Sequence, residues 1–344
     1  MLKFARGIAK VNLLVTGGAG YIGGTVAQML LEAGHQVSVY DDLCHGHRWS
    51  IPEGAVFVEG ELADGARLGK LFADASQAGA PFDGVMHFAA LIEAGESMRR
   101  PELYFRNNTA STLSLLEAML AAGVKKLVFS STAAVYGEPE FAPGEPRQIL
   151  ETAALRPTNP YGESKLLVEC MLGWLQRIHG LRCARLRYFN VAGAIPGRGE
   201  AHEPESHLIP LVLDVALGRR ANIKVFGTDY PTRDGTCVRD YIHVKDLARA
   251  HLLAFNALTE KEGMIYNIGN GQGFTVREVI ESARRVTGRE IPVIEEPRRP
   301  GDPAVLVASS EKIKAELGWK PEFSGLDEIV ASAWEWHQQR YGER

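Results

Sequence analysis

The stretch Val11-Asn12-Leu13-Leu14-Val15-Thr16-Gly17-Gly18-Ala19-Gly20-Tyr21-Ile22-Gly23 decides the fold. Val11–Thr16 reads as a buried strand, since its apolar run does not alternate with polar residues. A helical pattern then runs to about Ala33 and stops at Gly34. Gln36–Tyr40 reads as a second strand ending at Asp41-Asp42. Strand, glycine turn, helix and strand with a terminal acid form the pattern of a dinucleotide-binding half-sheet. Gly17 permits the tight turn, Gly20 lets backbone approach a pyrophosphate, and Gly23 allows close helix–strand packing. The helix N-terminus aims N–H groups and a positive dipole end at the phosphates. Asp41, 18 residues past Gly23, suits the adenosine ribose hydroxyls and repels a 2′-phosphate, so NAD is expected over NADP. Arg48 reads as a surface charge.

Outward from this stretch, Ala55–Val58 is a short strand, followed by a helix toward Gln77. Phe82–Phe88 is a strand leading into Ala89 and Ala90, small residues that let a cofactor lie close. Pro101–Ala122 is predicted as one long helix, with Asn107 and Asn108 facing either the cofactor or solvent. Lys125–Ser131 is a strand ending in Thr132, and the Pro-rich stretch Glu138–Pro157 is a surface loop. Strand–helix alternation through Tyr188 predicts an α/β fold: a doubly wound parallel (Rossmann) sheet with right-handed crossovers. Ligands then gather at the carboxyl ends of the strands, which brings Gly17–Gly23, Asp41, Phe88–Ala90, Ser130–Thr132, Tyr161 and Tyr188 to one edge.

After Asn190 the chain changes character, with Gly- and Pro-rich segments between shorter elements. A smaller α/β C-terminal substrate lobe is therefore expected, with the division at 1–189 and 190–344 and some segments crossing back. Cys237–Val244 reads as a strand. Arg239 and Arg299 each end a short segment at a turn. Both suit a diphosphate, whose oxygens match guanidinium forks, and either one alone also reads as a surface ion pair.

Asn159-Pro160-Tyr161-Gly162-Glu163-Ser164-Lys165 opens a helix, with Asn159 as cap and Pro160 at the first helical position. Tyr161 and Lys165 are four apart and share one helix face. An ammonium beside a phenol favours phenolate, and a cationic nicotinamide favours it further. Bringing a phenol from about 10 to about 7 takes roughly 4 kcal/mol of such interaction, which makes a general base near neutral pH. Taken alone, the spacing more readily describes an amphipathic helix with an ordinary lysine.

Composition sets outer bounds. The 344 residues are 45% hydrophobic and 23% charged with a net charge of -4, a globular balance without the basic stripe of a nucleic-acid binder. Cys44, Cys170, Cys183 and Cys237 form no close pair of metal-ligand type, so a reduced cytoplasmic protein without a metal is expected. Cys44-His45-Gly46-His47 reads as a solvated loop. Met1–Lys10 lacks the apolar core of a signal sequence, and no segment is long enough to span a bilayer.

TGGAGYIGG (16–24), HFAA (87–90), SSTAAVYG (130–137), NPYGESK (159–165), LRYFNVAGA (186–194), VFGTDYPTRDGTCVRDYIHV (225–244) and RRPGD (298–302) occur in this order. From about Val11 to the C-terminal helix the chain resembles the UDP-glucose (UDP-galactose) 4-epimerases, extended short-chain dehydrogenase/reductases. The N-terminal motifs are shared by the whole superfamily, and the 227–244 block is the more specific. The resemblance implies C4 epimerisation of a UDP-hexose through a transient 4-keto sugar, with hydride stored on tightly bound NAD. It implies Tyr161 as base, Lys165 on the nicotinamide ribose and Thr132 on the sugar's 4-oxygen. NAD contacts are implied at Gly17, Gly20, Tyr21, Ile22, Gly23, Asp41, Glu61, Leu62, Phe88, Ala89, Ala90, Asn107, Ser130, Tyr161, Lys165 and Tyr188. UDP-sugar contacts are implied at Thr132, Tyr161, Asn190, His207, Leu208, Phe226, Arg239, Arg299 and Asp302.

Some positions depart from family members: Ile92 stands where some carry lysine, and His207 where some carry asparagine. Leu306 stands where a tyrosine in some members restricts room at the sugar's 2-substituent, and by size it admits an N-acetyl group. A 4,6-dehydratase carries Asp-Glu beside the threonine, whereas Ala133 and Ala134 cannot transfer protons. A non-catalytic NAD-binding module has no use for Tyr161, Lys165 and Thr132 together. The resemblance also implies a homodimer paired through two helices of the dinucleotide domain; 101–122 and 161–178 are the candidates, and their apolar faces read equally as intramolecular core.

Overall fold

The computed structural model describes residues 10–141, 147–299 and 301–342. The opening Met1–Ala9, the middle of the 138–157 loop and Pro300 of the RRPGD stretch lie outside them. The chain begins with β1 (Asn12–Thr16), α1 (Tyr21–Glu32), β2 (Gln36–Asp41), β3 (Val56–Glu59), α2 (Gly65–Gln77) and β4 (Gly84–His87). It continues with α3 (Ala94–Ser97), α4 (Pro101–Tyr104), α5 (Ser111–Ala121), β5 (Lys126–Thr132), α6 (Pro160–His179) and β6 (Arg182–Tyr188). A seventh strand, Gly263–Ile268, completes one sheet in the order Gly263–Ile268, β6, β5, β4, β1, β2, β3.

β1 is parallel to both β2 and β4, with Thr16 opposite Tyr40 on one side and His87 on the other. His87 in turn faces Phe129 of β5. The chain crosses from one half of the sheet to the other beside β1, the switch point where doubly wound sheets bind ligands. Leu13, Leu14 and Val15 are fully buried, which is why β1 reads as an unbroken apolar run rather than an alternating one.

Contacts divide the chain into two units. The first contains Met1–Ser131, Asn159–Leu186 and His251–Ile265, and the second Thr132–Thr158, Arg187–Ala250 and Tyr266–Arg344. Leu14, Tyr40, Phe72, Leu115, Phe129 and Leu172 belong to the core of the first. The second packs the helices Leu208–Ala216, Val276–Thr287 and Leu326–Tyr341 around Ile209, Leu213, Val279, Ile329 and Val330. No helix among the described residues is long and apolar enough to cross a membrane.

Two expected elements are broken, each by a buried polar side chain. The predicted helix over 101–122 is α4, a π-helical stretch over Phe105–Ala110, and α5. The Asn108 side chain accepts from Leu91 N at 2.8 Å and donates to Leu91 O and Ser164 Oγ at 2.9 and 3.1 Å. That knot sits where the helical ladder widens; π-bulges of this kind often mark functional sites. The predicted strand over 237–244 is two short strands, Val238–Arg239 and Tyr241–His243, parted at Asp240. The fully buried Asp240 carboxylate accepts from Asn270 N, Gly271 N and Ala308 N at 2.7, 2.9 and 3.0 Å. Three charge-assisted bonds explain how a buried carboxylate is tolerated there.

Candidate active site

The glycine turn is sterically determined. Gly17 has φ +72°, and a Cβ there would lie 2.5 Å from Ala89 N. A Cβ at Gly23 would lie 2.3 Å from Gly17 O. The turn therefore packs against both the 88–90 segment and the start of α1. Gly23→Ala is expected to lower stability by about 1–3 kcal/mol, read from the denaturant midpoint; an unchanged midpoint contradicts this packing. α1 starts from Gly20 without a side-chain cap, whereas Asp64 caps α2 and Asn159 caps α6. A first turn without a capping side chain or acid suits an anionic ligand such as a pyrophosphate.

Asp41 is buried at the end of β2, where Oδ2 accepts from Ala19 N at 3.0 Å and Oδ1 from Leu43 N at 2.9 Å. Burial raises its pKa and these two bonds oppose the rise. Each oxygen keeps a lone pair for ribose hydroxyls. Tyr40 donates to Glu61 O at 2.9 Å, which fixes the segment carrying Glu61 and Leu62 at the end of β3. These residues fit a dinucleotide with a free 2′-hydroxyl.

Tyr161 and Lys165 occupy the first turns of α6. Asn159 Oδ1 accepts from Gly162 N at 2.9 Å, and Pro160 stands at the first helical position. Lys165 is only 2% exposed, donates to Ser130 O at 2.9 Å and lies 5.0 Å from the centre of the Phe129 ring. Burial pulls its pKa down to about 7. His87 lies beneath, between Thr16 Oγ1 at 2.6 Å and Thr112 Oγ1 at 2.8 Å. Thr112 donates to Asn108 O at 2.6 Å, so His87 donates from Nε2 and accepts at Nδ1. Burial, aided by the Lys165 charge, lowers the imidazole to about 3 and keeps it neutral. A carbonyl, an aromatic face and a neutral imidazole are thus among the neighbours of Lys165. Asn107 donates to Asn108 Oδ1 at 3.0 Å and keeps its own amide oxygen for other partners.

Gly17–Gly23, Asp41, Glu61, Leu62, Phe88–Ala90, Asn107, Ser130, Tyr161 and Lys165 all fall in the first unit, whereas Thr132 and Tyr188 fall in the second. The Thr132 Oγ1 accepts from Ala134 N at 3.1 Å, which leaves its O–H to donate. Asn190, His207, Leu208, Phe226, Arg239, Arg299 and Asp302 also lie in the second unit. Four of these come together. Asp302 pairs with Arg239, Arg299 stacks 3.9 Å from the Phe226 ring centre, and Asp302 N bonds to Arg299 O at 3.3 Å. Leu306 lies opposite Arg239 in the sheet register. Two guanidiniums, one steered by a carboxylate and one by an aromatic face, are suited to a diphosphate. Asn190 lies in register with Tyr241 at the start of a short parallel pair.

Residues 13–269 match the model of the NAD dependent epimerase/dehydratase family. The chain belongs to this family. Within it, the chain is 55% identical over 324 residues to a UDP-glucose 4-epimerase of Streptomyces lividans, covering 94% of this chain and 95% of that one. A solved UDP-glucose 4-epimerase of Brucella ovis in complex with NAD is 42% identical, with a TM-score of 0.89 over 97% of this chain and 99% of that one. The enzyme of Bifidobacterium longum in complex with NAD+ and UDP is 36% identical, with a TM-score of 0.89 over 96% and 99%. The chain is thus an NAD dependent epimerase/dehydratase family member over its whole fold, among the UDP-glucose 4-epimerases.

Sequence reasoning missed three features of this family member. Asn108 joins the 91 segment to α6, and Asp240 organises the loops of the second unit. The third is a cluster of Glu200, His202, Glu205 and His207. His207, expected at a diphosphate, has its Nδ1 2.9 Å from both Glu200 Oε1 and Glu205 Oε1. The spacing Glu-x-His-x-x-Glu-x-His was visible in the sequence, but the ring directions were not. His47, in the stretch read as a solvated loop, stacks on Trp49 at 5.1 Å.

Proposed function

We propose that the chain interconverts UDP-glucose and UDP-galactose by removing and restoring hydrogen at C4, with the first unit holding NAD and the second holding the UDP-sugar. The observation that carries this reading is Lys165, buried against Ser130 O one helical turn beyond Tyr161. NAD, when bound, supplies a reversible acceptor for the C4 hydride, so the cycle has no net oxidation. Tyr161 takes the proton of the 4-hydroxyl as phenolate, while Thr132, oriented by Ala134 N, hydrogen-bonds the 4-oxygen. Lys165 holds the nicotinamide ribose, and as an ammonium it favours the phenolate form of Tyr161.

Phe226, Arg239, Arg299 and Asp302 hold the UDP, while the flat 4-keto sugar remains free to turn and receive hydrogen on its other face. Tight nucleotide anchoring with looser sugar contacts is the requirement of this chemistry. Ala133 and Ala134 supply no acid or base for eliminating water across C5–C6, which favours epimerisation over dehydration.

The test is incubation of the purified protein with UDP-galactose, UDP-N-acetylgalactosamine, UDP-glucuronate and UDP-xylose without added NAD. UDP-glucose is the expected product from UDP-galactose. Cofactor-loaded protein that converts none of the panel is a binding module instead. Leu306 is expected to admit the N-acetyl sugar. Leu306→Tyr should then reduce turnover of UDP-N-acetylgalactosamine about 10–200-fold and spare UDP-galactose; equal effects on both sugars reject that role.

We also propose a homodimer in the cytoplasm. Leu113 of α5 and Leu167, Trp174 and Ile178 of α6 are exposed apolar residues on the two helices expected to pair. Cys44 and Cys170 are exposed free thiols, which an oxidising compartment would not preserve.

A further inference from the structure

Glu200, His202, Glu205 and His207 precede the helix Leu208–Ala216 and offer four ligand atoms within 4.8 Å of one another. His202 Nδ1 is 3.2 Å from Glu200 Oε1 and 3.9 Å from Glu205 Oε2. His207 Nδ1 is 2.9 Å from Glu200 Oε1 and 2.9 Å from Glu205 Oε1. We propose that these four residues bind a divalent transition-metal ion of the zinc class through two imidazole nitrogens and two carboxylate oxygens.

The dimensions support this. Zinc–ligand bonds of about 2.0–2.1 Å in a tetrahedron place ligand atoms roughly 3.3 Å apart, and the His–carboxylate spacings of 2.9 to 3.9 Å lie on either side of that value, with Glu205 facing His202 through Oε2 and His207 through Oε1. The widest ligand separation is bounded at 4.8 Å, so side chains close by up to about 1.5 Å to surround an ion. Two imidazoles and two carboxylates select zinc, cobalt or nickel over magnesium and calcium, which prefer all-oxygen shells. The charges also balance, since two carboxylates neutralise a divalent ion inside a set whose Glu200 side chain is only 8% exposed.

The groups are held in place from behind. Trp336 Nε1 donates to Glu200 O at 3.1 Å. Ser206 N and His207 N both donate to Glu205 Oε1 at 2.8 Å. Burial opposes the charge on His207, yet Glu200 and Glu205 hold its pKa well above the ordinary imidazole value. The site thus joins 200–205 to the start of the next helix, and ion binding stabilises that connection by linkage.

The probes are zinc and cobalt, titrated calorimetrically into the cofactor-loaded enzyme after treatment with a chelator. About one ion per chain is expected, with a tetrahedral visible spectrum for cobalt, a higher unfolding midpoint with zinc, and no response to magnesium. His202→Asn with Glu205→Gln keeps the local hydrogen-bond shapes and should abolish binding and the midpoint shift. Cys44→Ser, in the separate Cys44-His45-Gly46-His47 stretch, should change neither. If the double variant does not fold, Glu205→Gln alone should weaken binding at least about tenfold. Absence of ion binding in the unaltered chain overturns the proposal and leaves an ion-pair network. Binding that survives unchanged in the folded His202→Asn/Glu205→Gln variant, or in Glu205→Gln alone, also overturns it.

Discussion

Tyr161→Phe is expected to lower turnover by about 10²–10⁴-fold and to leave UDP affinity nearly unchanged. The split follows from how α6 is built. Its start rests on the Asn159 cap and on Pro160, and Ser164 donates to Tyr161 O, a backbone atom, at 2.7 Å. None of these uses the phenol oxygen, so phenylalanine keeps the helix and the ring while losing the proposed base. The groups proposed to hold UDP, Arg239, Arg299, Phe226 and Asp302, all lie in the other unit. Turnover from UDP-galactose and calorimetric UDP binding, measured on one preparation, check this result. A variant with near wild-type turnover removes Tyr161 from the chemistry. One that loses UDP binding in parallel makes Tyr161 an anchoring group.

The dinucleotide half of the chain was legible because backbone sterics wrote it. A Cβ at Gly17 or Gly23 meets main-chain atoms within 2.5 Å, and such a position advertises itself as glycine. The cap and proline before Tyr161 were legible for the same reason, since they act on neighbours three residues away or fewer. The π-helical break was not, because Asn108 is committed to residues 17 and 56 positions distant. Asp240 is alike, with N–H donors 30, 31 and 68 residues away. No local pattern distinguishes these side chains from exposed polar residues. The pairing of Arg239 with Asp302 spans 63 residues, so the sequence could offer each as a candidate without joining them.

Burial also alters how the lysine is understood, because spacing alone treats Lys165 as an ordinary ammonium. Lys165→Met is expected to reduce turnover by at least about 10²-fold while changing how stability depends on pH. In the folded chain the lysine titrates near 7 against an ordinary 10.5. Below about pH 7 both folded and unfolded states carry the proton, and the cost of a buried charge is fully present. Between 7 and 10.5 the unfolded state binds more protons, so wild-type stability should rise with pH through that window. Its full extent is on the order of 5 kcal/mol.

Methionine removes this slope. It also removes the Lys165 hydrogen bond to Ser130 O, a loss of about 1–3 kcal/mol that does not vary with pH. The sign of the stability change at one pH is therefore uninformative, and its pH dependence is decisive. Denaturant unfolding at pH 7 and pH 9.5, at matched cofactor content, should show the variant losing ground to wild type as pH rises. A constant difference means that Lys165 keeps its proton across the window, held by a negative partner. Its burial would then not be the source of a lysine poised near neutrality beside the proposed base.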